Sequence, residues 1–66
     1  MKQWIVVSER GGGKRAVKIS DIVSMEEIID GYTRYTSLKM YGVAGWETLV
    51  VYGRIEIIVA EINGEE

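Results

Sequence analysis

The 66-residue chain contains no cysteine and no histidine. Without cysteine no disulfide can form, and without either residue type a structural zinc site has no plausible ligand set. The same absences remove the thiol and imidazole groups most often used in nucleophilic catalysis, and the serines have no obvious activating neighbour. We therefore expect a protein that is not an enzyme and that needs no cofactor or metal.

Long apolar segments are also missing, because no run approaches the roughly 20 residues that cross a bilayer. Met1 and Lys2 lead into a short alternating segment with no small-residue cleavage site after it, which argues against a signal peptide. We expect a cytoplasmic protein with no membrane association.

The length allows at most one domain, over residues 1–66. A core of this size supplies only about 3–5 kcal/mol, and small scaffolds usually rely on some added support. With disulfides and zinc excluded, the remaining support is another subunit. The hydrophobic share of 47% points the same way, so we expect a homo-oligomer, most simply a dimer.

The formal net charge of −2 is unevenly distributed. Residues 1–20 carry five basic side chains and one acidic one, a net +4, whereas residues 21–66 carry three basic and nine acidic ones, a net −6. A positive end can attract an anionic partner. Solvated lysines on edge strands would produce the same pattern.

The β-branched and aromatic content, with glycine-rich turns between, predicts four strands: 2–8, 14–19, 32–41 and 46–52. The triple glycine 11–13 and the glycine-bounded loop 42–45 suit hairpin turns. Alternation along 32–41 places Leu38 and Met40 toward the core, with Tyr32 packing at the core's edge.

Two segments have ambiguous patterns. In 21–30 the pair Ser24 and Glu27 forms a capping box and Gly31 suits a C-cap, which predicts a short helix; a strand is the alternative. In 54–62 apolar residues recur at helical spacing before Asn63, while their β-branching favours a strand. We therefore predict an α+β fold with a four-stranded antiparallel sheet and helices at 21–30 and 54–62. The alternative is an all-β fold with 54–62 as a fifth strand.

Three runs follow one another along the chain: D-I-V-S-M-E (21–26), Y-T-R-Y (32–35) and L-V-V-Y-G-R-I-E-I-I-V-A-E-I (49–62). Together they resemble the first half of a LytTR-type DNA-binding domain, and the strand-rich layout is similar to that of short flagellar FlbD-type proteins. The LytTR resemblance implies a strand over Ile22–Glu26. The second half of that family, with its F-x-x-x-H-R-S stretch, has no counterpart here, and neither has the FlbD-type T-R-L-N-G opening. The resemblance therefore bears on fold and not on activity.

One strand face stands out as a candidate surface, because Tyr35, Lys39 and Tyr41 share one side of 32–41. Such a face suits a protein interface, a platform on which bases stack, or ordinary core. We therefore predict a regulatory or interaction module that binds a protein partner through its tyrosine-rich faces. The alternative is a nucleic-acid or nucleotide binder that adds the basic N-terminal side chains Arg10, Lys14, Arg15 and Lys18 to that face.

Overall fold

The computed structural model describes residues 3–64, which form five strands and a C-terminal helix. In chain order the elements are β1 (Trp4–Ser8), β2 (Lys14–Lys18), a 3-10 turn (Ile19–Asp21), β3 (Ile22–Asp30), β4 (Thr33–Gly42), β5 (Gly45–Tyr52) and α1 (Ile55–Ile62). The strands pair in two antiparallel sheets, β1–β2 and β3–β4–β5. The predicted α+β class is confirmed, but the single four-stranded sheet is wrong. Residue 2 of the first predicted strand and the tail residues Glu65 and Glu66 lie outside the described residues.

The first hairpin forms as predicted, with β1 antiparallel to β2. The chain reverses at Gly12 and Gly13, whose φ angles of 108° and 85° lie in a region that glycine enters without steric cost. The Glu9 N–H donates to the Gly13 carbonyl at 2.9 Å and closes the loop.

Residues 21–30 depart most from expectation, because the predicted helix is wrong and β3 lies there beside β4. A strand is also what the LytTR resemblance implied for part of this segment. The register shifts between Ile22 and Ser24, so Val23 is an extra, bulged residue. Ile22 and Met25, three positions apart, therefore both pack toward the core. The bulge reproduces the spacing of a helix face, which explains the wrong prediction.

The hairpin of β4 and β5 reverses at the predicted glycine-bounded turn, where Gly45 has a φ of 97°. Leu38 and Met40 are buried, as the alternation predicted. Tyr32 precedes β4 in the turn from β3 and is fully exposed, so its predicted packing at the core's edge is wrong.

The core lies between the two sheets, where the hairpin of β1 and β2 packs on what we call the inner face of β3–β4–β5. Its buried apolar side chains are Ile5, Val7, Val17, Leu38, Met40, Leu49, Val51 and Ile58. Leu38 and Met40 of β4 and Leu49 and Val51 of β5 alternate with outward residues, as expected when only one face of an antiparallel sheet is covered. The opposite, outer face of the same sheet is left toward solvent.

Helix α1 confirms the helix predicted at 54–62 and excludes a fifth strand there. Ile58 is its buried anchor, and Ile62 packs against the core. The junction with β5 is fixed at Gly53, whose N–H donates to the Arg34 carbonyl at 3.2 Å. The carbonyl of Gly53 accepts a hydrogen bond of 2.9 Å from the hydroxyl of Thr36, which is fully buried.

Candidate interaction surface

The outer face of the three-stranded sheet carries Tyr35, Lys39 and Tyr41, the residues that the sequence predicted to share one strand face. Residues directly opposite each other in an antiparallel ladder share a face, so the register fixes its membership. The outer face comprises Ser24, Glu26 and Ile28 of β3, Tyr35, Ser37, Lys39 and Tyr41 of β4, and Trp46, Thr48, Val50 and Tyr52 of β5.

One cluster on this face is built around Tyr35. Its ring lies 5.1 Å from that of Tyr52, the residue opposite in β5, at an interplanar angle of 47°. Arg10 reaches the same cluster, with its guanidinium carbon 5.2 Å from the centre of the Tyr35 ring. The Arg10 N–H donates to the Val50 carbonyl at 2.9 Å, so the chain after β1 lies along the edge of β5. This backbone contact brings an N-terminal cation onto the outer face.

A second cluster lies at the other end of the β4–β5 ladder. The rings of Tyr41 and Trp46 are 4.8 Å apart at 55°, and the Lys39 ammonium lies 5.1 Å from the Trp46 ring centre. Both clusters thus combine two tilted rings with a cation over one of them, an arrangement worth about 0.5–1 kcal/mol per cation at exposed sites. Six strand positions separate Tyr35 from Tyr41, which places the clusters roughly 20 Å apart.

The fold places the basic residues predicted for this surface on different sides of the molecule. Lys14 and Lys18 alternate with the buried Val17 and lie on the outer side of the hairpin, in the layer opposite the outer face. Arg15 donates two hydrogen bonds to the Glu47 carboxylate, at 2.6 and 2.8 Å, and joins the two sheets. These bonds lower the pKa of Glu47 and raise the pKa of Arg15. Of the seven predicted site residues, Tyr35, Lys39, Tyr41 and Arg10 therefore share one face.

Tyr52 belongs to the first cluster and Trp46 to the second, but neither was among the predicted site residues. The signal for Trp46 is present in the sequence, because a two-residue turn between Gly42 and Gly45 places it opposite Tyr41. Tyr52 follows from the same register, six positions further along β5.

An open groove of about 200 Å³ lies between β2 and the β4–β5 turn, and Lys18 and Asp21 are among its lining residues. Within residues 3–64 no three acidic, cysteine or histidine side chains converge as a metal site. In the same range every buried side-chain nitrogen and oxygen has a hydrogen-bond partner. No buried polar side-chain atom in this part of the chain is therefore left unpaired to mark a ligand site.

No family model, curated protein or solved structure matches the chain. The resemblance to LytTR-type and FlbD-type proteins therefore stays a prediction. Among the described residues, no helix has the length and apolar character needed to cross a membrane.

Proposed function

We propose that the protein is a small cytoplasmic, non-enzymatic interaction or regulatory module that associates with itself and binds a protein partner through the outer face. The observation that carries the proposal is the uncovered aromatic surface. Tyr41, Trp46 and Tyr52 are 54%, 62% and 47% exposed, on a sheet face that no other described strand or helix covers. Large aromatic side chains left exposed together on one sheet face suit an interaction site.

The composition of the outer face suits a protein interface. Tyrosine, tryptophan and arginine are the residues that most often dominate binding energy at such interfaces. The rings are already held against each other across the strands, so binding costs little side-chain freedom. A standard interface covers about 800 Å² per partner, a patch roughly 30 Å across. The two clusters fit within that span.

Alanine substitutions on the outer face test the proposal. Tyr41→Ala and Tyr35→Ala should each reduce recovery of a partner from an extract of the source cells by up to roughly thirtyfold, the effect of losing an interface hot spot of about 2 kcal/mol. Tyr32→Ala is the matched control, because Tyr32 is fully exposed but lies in the turn before β4. Circular dichroism should show that all three variants are folded. Equal recovery by both outer-face variants and the control would count against the proposal.

The self-association part rests on size and composition. A 66-residue chain that is 47% hydrophobic, without disulfide or zinc ligands, has another subunit as its remaining means of support. Sedimentation velocity should give a species larger than a monomer at low micromolar concentration. A monomer under those conditions would contradict this part.

A nucleic-acid or nucleotide binder is the second candidate, favoured by the two cations beside aromatic rings on one face. Bases stack on such rings with roughly 1–3 kcal/mol each. Arg10 and Lys39 would then contact phosphate, without help from Lys14 and Lys18 in the opposite layer. This candidate predicts retention on heparin or phosphate resin at ~50 mM salt and release as salt rises. Flow-through at ~50 mM would reject it.

A further inference from the structure

The two sheets have four edges in the described part of the chain, and the edges of β2 and β3 have neither a further strand partner nor an isolated bridge. β2 pairs only with β1, and β3 pairs only with β4. The edges of β1 and β5 differ, because the chain just after β1 joins them: Glu9 bridges to Val51 and Arg10 bonds to Val50. An unpaired edge presents a row of N–H and C=O groups on which another strand can assemble.

The two free edges carry opposite charges. β2 reads K-R-A-V-K and β3 ends in E-E-I-I-D. Within residues 3–64, Arg15 and Glu27 already form ion pairs with other side chains, whereas Lys14, Lys18, Glu26 and Asp30 form none. Like edges would repel, because β2 against β2 brings lysines together and β3 against β3 brings carboxylates together. The favourable match is therefore β2 with β3.

The direction of that match follows from which backbone groups each edge presents. In an antiparallel ladder, bonded and non-bonded residue pairs alternate. The Ile19 N–H bonds to the Gln3 carbonyl, so Val17 and Arg15 also direct their groups toward β1. The residues between them, which include Ala16, direct their N–H and C=O groups to the free edge of β2.

The same alternation applies to β3. The Gly53 N–H bonds to the Arg34 carbonyl, so Arg34 directs its groups toward β5, and the next residue, Tyr35, directs its groups toward β3. Ile28, opposite Tyr35, is thus bonded to β4, while its neighbours Glu27 and Ile29 direct their groups to the free edge.

In a parallel arrangement the free N–H and C=O groups of both edges find partners. The outer side of the β1–β2 hairpin and the outer face of the second copy's sheet then lie on the same side. In parallel pairing a residue bonds to the two residues flanking its opposite neighbour, so Ala16 can lie opposite Ile28 and bond to Glu27 and Ile29. An antiparallel arrangement with outer faces aligned would place edge-directed groups opposite groups already bonded within their own sheet. The backbone groups therefore favour the parallel register, and the charges of the two strands are compatible with it.

We propose that β2 of one copy pairs in parallel with β3 of a second copy. In this register every position is complementary: Lys14 with Glu26, Arg15 with Glu27, Ala16 with Ile28, Val17 with Ile29, and Lys18 with Asp30. The pairing also covers Ile29, which is 61% exposed in the single chain. Each copy has one edge of each kind, so two copies can satisfy both through a two-fold axis, or successive copies can join head to tail.

The inference rests on the proposed self-association and specifies its surface. Two charge-reversed variants test it by sedimentation velocity and native mass spectrometry: Lys14→Glu with Lys18→Glu, and Glu26→Lys with Asp30→Lys. All four side chains are exposed, so folding should be unaffected. Arg54→Glu and Glu56→Lys serve as controls, because they change charge in the same directions at the start of α1.

Each reversed variant should associate at least about tenfold more weakly than the wild type, since two attractive pairs become repulsive. A 1:1 mixture of the two variants should recover wild-type association, in complexes that contain both chains, because the reversed edges complement each other. The controls should associate as the wild type does.

Wild-type association by both reversed variants, or a mixture that stays monomeric, would overturn the inference. Association that is lost in Tyr41→Ala but retained in the reversed variants would place self-association on the outer face, overturning the edge pairing while leaving the proposed function intact. Normal association with unchanged partner recovery by Tyr35→Ala and Tyr41→Ala would reject the proposed function alone.

Discussion

The buried hydroxyl of Thr36 gives the sharpest test of how the sheet holds the helix. Thr36→Val keeps the branched shape of the side chain but removes the donor to the Gly53 carbonyl, a hydrogen bond of 2.9 Å. Thr36 is fully buried, so water cannot readily replace that donor. The carbonyl of Gly53 is then left without this partner at the point where β5 turns into α1.

The expected loss is about 1–2 kcal/mol, because an unsatisfied buried acceptor costs about 1–3 kcal/mol and the new methyl group recovers part of it. A 66-residue domain is stable by only about 3–10 kcal/mol. The melting temperature should therefore fall by roughly 5–15 °C. Thr36→Ser, which keeps the hydroxyl, should retain the hydrogen bond and lose only the packing of one methyl group.

Urea unfolding followed by circular dichroism measures this difference. Thr48→Val is the matched control, because Thr48 is exposed on the outer face of β5 and its change should fall within about 0.5 kcal/mol. The comparison should be made at two protein concentrations, since association adds apparent stability. If Thr36→Val and Thr48→Val unfold at the same urea concentration, the hydrogen bond to Gly53 does not anchor this junction.

Three further changes test the core, the junction and the ion pair. Leu38→Ala, at a fully buried position, should cost about 2–5 kcal/mol in urea unfolding, and a loss below about 1 kcal/mol would contradict its central place. Gly53→Ala should cost about 1–3 kcal/mol, because a residue with a side chain is strained at the φ of 114° found there. Space is not the cause, since the new methyl carbon would lie 3.9 Å from its nearest neighbour, the Cδ1 atom of Ile58. An unchanged urea midpoint would show that the junction tolerates a side chain. Glu47→Gln should lower stability near pH 7, and the gap from the wild type should close as pH falls through the lowered pKa of Glu47, below its ordinary 4.5; a gap that persists at low pH would argue against an ionic origin.

The β1–β2 and β4–β5 hairpins were predictable because their signals are local. Alternating apolar residues set the faces of a strand, and glycines mark the turns where positive φ is needed, as at Gly12 and Gly45. Helix α1 was predicted from the helical spacing of Ile55, Ile58 and Ile62, although their β-branching also allowed a strand.

β3 was not predictable by that route, because a bulge at Val23 changes the period of the pattern. Ser24 and Glu27 mimic a capping box although they lie on opposite faces of a strand, opposite Lys39 and Thr36. The division into two sheets also has no local signal. It depends on packing between residues far apart in sequence.

The candidate surface was predicted in part, for the same physical reason. A period of two places Tyr35, Lys39 and Tyr41 on one face without any knowledge of the fold. The same period also separates Arg15 from Lys14, which the grouping of basic residues overlooked. Arg10 reaches the outer face through a long-range backbone contact with β5, which no local pattern indicates.

Edge pairing and the outer face are linked by the register of the strands. In the proposed parallel pairing, Val6 of β1 lies opposite Ala16, which lies opposite Ile28 of the second copy. Ile28 in turn lies opposite Tyr35, and Tyr35 opposite Tyr52. This row would cross five strands and two subunits, so assembly would enlarge the surface offered to a partner.

The enlarged row predicts a conditional effect. Val6→Glu, a change at an exposed position, should weaken partner recovery by the assembled wild type. The same change added to the monomeric variant Lys14→Glu with Lys18→Glu should have little further effect, because Val6 then has no neighbouring outer face beside it. Recovery of partner from cell extract by the four proteins forms a double-mutant cycle that measures this coupling. Equal effects of Val6→Glu in both backgrounds would show that partner binding does not depend on the joined sheets.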